Sequence, residues 1–311
     1  MKTHGEGQKI SVVMPTFKNA DYLCQAVESI LAQTIPPDEI IIINDCPTDT
    51  LVQKILKDRF AAEMKTEQII YRKNQKNLGA SGSRNHGASL ARGDLIIFCD
   101  SDDLYTAEHF ETFLRLRDQK DADVVICHTK SYIDEEGQLL HRRKKPWRGD
   151  TEYKLFILGM TGSCMMMPPK IFADLGGFNT EIAASHDKKM FAEDWDLLVR
   201  AFHKRYKIAM DDSGTYLHRE HDDSLTGSSF NWTKHKREVI FPRIVADPNF
   251  TRKQLAIFSY GTLVSAPLRQ VPALLAQTLK FSPLFFVTEP AWPQLTARSL
   301  SNRVKRRVRV R

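Results

Sequence analysis

Long apolar runs are missing from this 311-residue chain, and that absence already excludes a class of protein. No stretch reaches the roughly 18–20 uninterrupted apolar residues of a membrane-spanning helix. Near the C-terminus, where apolar residues are densest, Lys280, Pro283 and Glu289 interrupt them. The opening, Met1 to Lys9, is short and polar and has no apolar h-region, which argues against a secretory signal. Cysteine is scarce. Cys24, Cys46, Cys99, Cys127 and Cys164 are odd in number, widely spaced, and form no C-x-x-C. Cys99 and Cys127 close or follow apolar runs and read as small core residues, and a reducing cytoplasm is the expected compartment. Internal repeats and low-complexity tracts are absent. No glycine-rich phosphate loop follows the first apolar run, where Pro15-Thr16-Phe17-Lys18-Asn19 stands, and this weighs against a nucleotidyltransferase of similar α/β fold.

Acid is missing from the C-terminal end. The last fourteen residues hold Arg298, Arg303, Lys305, Arg306, Arg307, Arg309 and Arg311 and no carboxylate, while the whole chain has a formal net charge of +7. The rest of the chain is therefore neutral overall, and the pI of about 9.1 describes the tail. A basic nucleic-acid-binding protein is disfavoured, and no nucleic-acid partner is expected. Ahead of the tail, Val271, Leu274, Leu275 and Leu279 make an apolar helical stripe, and Leu284-Phe285-Phe286-Val287 adds to it. An apolar helix ending in cations predicts peripheral binding to an anionic membrane surface, the inner face of the cytoplasmic membrane.

What is present reads as alternating strands and helices. Hydrophobic residues make up 42% of the chain, enough for a sizeable core. Ile10 to Met14 is a first strand closed by Pro15. Leu23, Ala26, Val27, Ile30 and Leu31 form one helical stripe, and Ile40 to Ile43 a second buried strand ending at Asn44-Asp45. Leu51 to Ala62 predicts a helix, Ile69 to Tyr71 a strand, and Ser81 to Ala91 a helix, with Gly79 and Gly87 at tight turns. Strands alternating with helices predict a mostly parallel α/β sheet. Further on, Val124 to Ile126 and Cys164 to Met167 read as strands. Asp134-Glu135-Glu136-Gly137 reads as a turn, and Pro169 as the start of a short helix. Beyond Trp232 helices broken by prolines predict a separate C-terminal extension, 233–311, after a domain at 9–232.

Leu95-Ile96-Ile97-Phe98-Cys99 is the pivot of the pattern, an apolar run that predicts a central parallel strand buried on both faces. It stops at Asp100-Ser101-Asp102-Asp103. A buried strand that ends in acids delivers them to the carboxyl edge of a sheet, where open α/β folds bind ligands. Carboxylate oxygens at such an edge suit Mg²⁺ or Mn²⁺. Asp194 precedes Leu197, Leu198 and Ala201 by three, four and seven residues, which puts it on the apolar face of a helix, in its first turn. A carboxylate facing inward there needs a task or a partner.

Taken together, seven stretches in order resemble the inverting family-2 glycosyltransferases of GT-A fold, a Rossmann-like, mostly parallel fold that binds nucleotide-diphospho-sugars. They are Pro15 to Asn19; Asn44 to Asp49; Asn77-Leu78-Gly79 with Ser83-Arg84-Asn85-His86-Gly87; Asp100 to Asp103; Gly176-Gly177-Phe178; Glu193-Asp194-Trp195; and His221 to Thr226. Asn44 and Cys46-Pro47 depart from the family's usual residues. The resemblance implies a metal-dependent transferase of hexosyltransferase type that moves a sugar from a nucleotide-sugar, by default a UDP-sugar, to a surface glycan or lipid-linked saccharide. It divides the domain into a nucleotide-binding half, 9–103, and an acceptor-binding half, 104–232. By the same resemblance Asp102 is the direct ligand of Mn²⁺ or Mg²⁺, Asp100 contacts ribose and metal, and His221 reaches the metal or diphosphate. Asp45 pairs with the nucleobase, and Arg84 meets phosphate or base. Pro15, Thr16, Asn77, Gly79 and Ser101 line the donor site. Asp194 is the catalytic base, with Glu193 capping or orienting.

Overall fold

A computed structural model describes residues 7–18, 20–127, 130–142, 164–181, 193–221, 241–246, 248–265 and 271–283. The chain divides into two compact units, Met1–Pro146 with Thr161–Gly227, and Trp147–Met160 with Ser228–Arg311. In the first unit the elements run β1 (Ile10–Thr16), α1 (Ala20–Leu31), β2 (Glu39–Asn44), α2 (Leu51–Arg59), α3 (Ala61–Lys65), β3 (Ile69–Lys73), α4 (Gly79–Leu90) and β4 (Leu95–Phe98). They continue with β5 (Leu104–Tyr105), α5 (His109–Lys120), β6 (Val124–Cys127), β7 (Lys130–Ile133), β8 (Leu139–Arg142) and β9 (Met165–Met167). The unit ends with α6 (Pro169–Asp174), α7 (Glu193–His203), β10 (Ile208–Asp211) and β11 (Tyr216–Arg219).

Seven strands form the main sheet in the order β10-β6-β9-β4-β1-β2-β3. β1 lies parallel to β2 and β4, β2 to β3, and β6 to β10, whereas β9 runs antiparallel between β4 and β6. The expected mostly parallel α/β sheet is therefore present, with one correction. β4 is parallel to a neighbour on one side only, because the short Met165–Met167 strand enters from the opposite direction. Along β1, β2, β4 and β6 nearly every residue is buried, and each fully buried Ile or Leu contributes about 1.5–3 kcal/mol. A second sheet, β5-β11-β7-β8, carries the Asp134–Gly137 turn between β7 and β8, where the Gly137 N–H bonds Asp134 O at 3.1 Å.

Three further expectations are corrected by packing. β1 does not stop at Pro15 but runs to Thr16. Val13 O accepts from Cys99 N on the β4 side and Thr16 O from Asp45 N on the β2 side. Alternation thus puts the missing N–H of Pro15 where β4 has already ended, a position a proline tolerates. The helix expected over 51–62 is broken at Phe60, which turns out of helical geometry and is buried at 5% exposure, leaving α2 and α3 on either side. Gly87 lies inside α4, not at a turn. A Cβ there would stand 2.5 Å from Val13 Cγ1 and 3.2 Å from Ile43 Cγ1, so the glycine lets α4 rest directly on β1 and β2. Gly79 does make the expected turn, at φ +71°, and α4 starts there rather than at Ser81.

All five cysteines are free and buried. His109, on α5, meets Thr215 Oγ1 through Nδ1 at 2.7 Å and Cys164 Sγ through Nε2 at 3.0 Å. Burial pushes its pKa down to about 3. The unfolded chain takes up this proton near its ordinary pKa of about 6.5 and the folded protein does not, so the contribution is full above about pH 6.5 and is lost as pH falls toward 3. Unfolding free energy, measured with urea, is expected to drop more steeply between about pH 7 and pH 5 in the wild type than in His109→Asn, by up to about 1.4 kcal/mol per pH unit. Equal slopes would refute this assignment.

In the second unit the described helices are α8 (Phe241–Ala246), α9 (Arg252–Ser265) and α10 (Val271–Phe281). α9 buries Leu255 to Phe258, and α10 buries Leu274, with Leu275 and Leu279 half-buried. Thr278 Oγ1 lies 3.1 Å from Ser259 Oγ across the pair. Among the described residues no helix is long and apolar enough to cross a membrane. Leu284 to Arg311, with the cationic tail, lies outside the described residues.

Candidate active site

Thr16, Asp45 and Asp100 stand at or just beyond the carboxyl ends of β1, β2 and β4. β1 is flanked by β2 and β4, so the chain's path reverses between β1 and β4, the crevice where such sheets bind ligands. The acids expected at this edge are there, and each is held differently.

Asp103 is turned inward and 1% exposed. Its carboxylate accepts from the Tyr216 hydroxyl, from Arg219 N at 2.8 Å, and faces His218 Nδ1 at 3.2 Å. Arg219, also buried, donates Nε to Asp102 O at 2.8 Å, reaches the carbonyls of Asp134 and Glu135, and bonds Gln25 Oε1 at 2.9 Å. Its guanidinium lies over the Tyr22 ring at 4.7 Å. This pair therefore fastens the D-x-D turn to β11, to the β7–β8 turn and to α1. One result is that His221, two residues past Arg219, faces Asp102, with Nε2 3.2 Å from Oδ2. The residues after it, 222–226, lie outside the described residues.

Asp100 and Asp102 are partly exposed, and with Asp103 they bring carboxylate oxygens within 4.8 Å of one another. The Asp100 pKa is raised to about 6, as burial and, less strongly, Asp103 and Asp102 push it up against the pull of Arg84. Hard oxygens and one imidazole at a crowded anionic turn are a donor set that fits Mn²⁺ or Mg²⁺.

Arg84, from α4, does not point to solvent. Its Nη2 donates to Asp100 Oδ1 at 2.8 Å and its Nη1 to Glu193 Oε1 at 2.9 Å, with the side chain 6% exposed. Burial would lower its pKa, but Asp100 and Glu193 outweigh that and hold it above its ordinary value. The guanidinium also lies 5.4 Å from the centroid of the Phe178 ring. Phe178 is fixed by Asn85, whose side chain bonds both its N–H and its carbonyl at 2.8 Å. A buried arginine of this kind costs several kcal/mol when one partner is removed. It ties the D-x-D turn to the start of α7.

On α7, Leu197, Leu198 and Ala201 are buried as expected, and Phe202 is half-buried. Glu193 is the more deeply buried of the two acids, at 7% exposure, and Asp194 is half-buried beside it. Asp194 Oδ1 accepts from Trp195 N at 2.7 Å. Asp45 is buried, and its Oδ1 accepts from Asn74 Nδ2 and from Leu78 N, both at 2.8 Å. Asn77 Oδ1 caps Gly79 N at 3.0 Å, Ser101 is buried in the D-x-D turn, and Pro15 is the residue of β1 before its last, Thr16. Thr16 Oγ1 is buried without a hydrogen-bond partner.

Asn74, His86, Asp103, Tyr216 and Arg219 were not among the expected site residues. For Asp103 the adjacent D-x-D was a signal, but its partners lie more than a hundred residues away and nothing local marks them.

The family model described as "Glycosyl transferase family 2" matches residues 11–176. Among curated proteins, the chain is 26% identical over 256 residues to glycosyltransferase GlyG of Streptococcus pneumoniae serotype 4, covering 76% of this chain and 79% of that one. It is 29% identical over 205 residues to an uncharacterized glycosyltransferase of Methanocaldococcus jannaschii, covering 64% of this chain and 66% of that one, just under two thirds of its length. Among solved structures, the crystal structure of S. aureus TarS 1–349 matches with a TM-score of 0.56 at 18% identity, covering 88% of this chain and 81% of that one. A second, of TarS 1–349 in complex with UDP-GlcNAc, matches with a TM-score of 0.53 at 14% identity, covering 94% and 80%.

Proposed function

The chain belongs to glycosyl transferase family 2, and we propose that it is a metal-dependent, inverting glycosyltransferase using a UDP-sugar, with a cell-surface glycan or lipid-linked saccharide as acceptor. The observation that carries this reading is the meeting of Asp102 with His221 from a distant part of the chain, beside Asp100, at the carboxyl edge of the sheet. The UDP-GlcNAc complex of TarS, a protein of like fold, supports the choice of UDP.

In this reading the chain's residues divide the work. Asp45 offers an acceptor oxygen to the base, and Asp100 sits beside the ribose. Thr16, whose buried hydroxyl has no hydrogen-bond partner, is placed to complete a bond with a ligand at the end of β1. Asp102, Asp100 and His221 would hold Mn²⁺ or Mg²⁺, which when bound neutralises charge on the leaving diphosphate as a Lewis acid. Asp194 removes the proton from the acceptor hydroxyl, its charge favoured by the first turn of α7. Both Nη groups of Arg84 are taken up by Asp100 and Glu193. It acts as a positioning residue by holding Glu193 and Asp100 in register. One direct displacement, with the base and the leaving group on opposite sides of the anomeric carbon, inverts its configuration.

A panel of nucleotide-sugars with Mn²⁺ tests the proposal. At about 100 times its Kd a true donor adds about 2.7 kcal/mol, several degrees in Tm, and slow hydrolysis should release UDP. Absence of both stabilisation and hydrolysis with every nucleotide-sugar of the panel would overturn the reading. The seven cations of the tail support a peripheral membrane seat. Full-length protein should float with anionic vesicles, and equal flotation of a chain ending at Ala297 would assign the tail another role.

A further inference from the structure

We propose that His86 and Asn74 are positioning residues that set the nucleobase specificity of the donor site, acting through Asp45. This rests on the reading of Asp45 as the base-pairing carboxylate. Three elements meet in one chain of hydrogen bonds. Asp45 follows β2, Asn74 follows β3, and His86 and Ser83 lie on α4. Asn74 is buried, and its backbone N–H is tied to Asn44 O at 2.9 Å.

The direction of each bond follows from what the groups can do. A carboxylate only accepts, so Asn74 must present its amide N–H₂ to Asp45 Oδ1, at 2.8 Å. The second hydrogen of that nitrogen goes to Ser83 Oγ at 3.0 Å. The amide oxygen then faces His86 Nδ1 at 2.7 Å. Since that oxygen can only accept, His86 carries its hydrogen on Nδ1. If His86 did not donate, the Asn74 amide could turn over and set its oxygen against the Asp45 carboxylate.

Oδ1 of Asp45 is thus engaged twice, by Asn74 and by Leu78 N, while Oδ2 bonds no described residue. A carboxylate clamped in this way offers a ligand an acceptor and nothing else. It matches a base whose ring nitrogen carries hydrogen, such as uracil, and opposes cytosine, whose corresponding nitrogen holds a lone pair. Neither Asn74 nor His86 need touch the base.

Binding of UDP and of CDP to the full-length protein, each with Mn²⁺, is the test. Wild type should prefer UDP by about 10- to 100-fold, the range of one hydrogen bond to a charged group. Asn74→Leu and His86→Phe should lose most of that preference through weaker UDP binding. His86→Gln, whose amide can still donate, should keep most of it. Turnover at saturating UDP-sugar should change little in all three. Variants that keep the UDP preference, a wild type that binds UDP and CDP alike, or a fall in kcat as large as the fall in affinity would overturn the positioning role and leave the transferase reading standing. A wild type that binds neither nucleotide would remove the donor reading itself, and this proposal with it.

Discussion

Asp102→Ala is expected to lose nearly all transfer, on the order of 10³-fold, because in the proposed mechanism several kcal/mol of charge stabilisation at the leaving diphosphate would depend on this carboxylate. Asp102 is the acid that faces His221, and its turn is fastened from behind by Arg219 through the Asp102 carbonyl. Removing the side chain therefore deletes the proposed oxygen ligand and leaves the backbone anchored, so the fold should survive. Calorimetric titration with Mn²⁺ in the presence of UDP should show saturable binding in the wild type and none in the variant. Full wild-type activity in excess EDTA would refute metal dependence. Retained Mn²⁺ binding in the variant would move the site off Asp102.

Asp194→Asn should slow transfer by roughly 10² to 10⁴, the range expected on losing a general base. The substitution keeps size and the bond to Trp195 N within reach of the amide oxygen. Its neighbour cannot take over, since Glu193 is held inward by Arg84. UDP affinity should stay near wild type, because the proposed role of the residue is on the acceptor. If calorimetry instead shows donor binding lost while transfer per bound donor survives, the base lies elsewhere.

How much of this could be read beforehand depended on how far apart the determinants lie. β1, β2 and β4 were legible because a strand buried on both faces needs an unbroken apolar run, and Ile40 to Ile43 and Leu95 to Phe98 supply one. α1 was legible from its repeat. The D-x-D turn was legible because acids must follow such a strand if its edge is to bind a cation. Pro15, Phe60 and Gly87 were misplaced for a common reason: each obeys a tertiary contact that overrides local preference. The site showed the same division. Asp102 and His221 were named from motifs and do meet. The Arg84 bridge from Asp100 to Glu193 was not foreseen, because a guanidinium in a sequence does not declare whether it points to solvent or to two buried carboxylates.

The three residues of β9 also set an order of events for folding. β1 to β4 form a parallel block, and β6 with β10 forms another, and Met165–Met167 is the hydrogen-bonded link between them. While a chain emerges from the ribosome, the apolar β4 has no partner on its far side until Met165 can reach Phe98. Until then it presents an open strand edge, the kind that pairs with other chains. Closing the sheet is a non-local step, slow relative to the helices and hairpins around it. The interval between synthesis of Phe98 and arrival of Met167 is therefore when this strand edge is open to pairing with another chain.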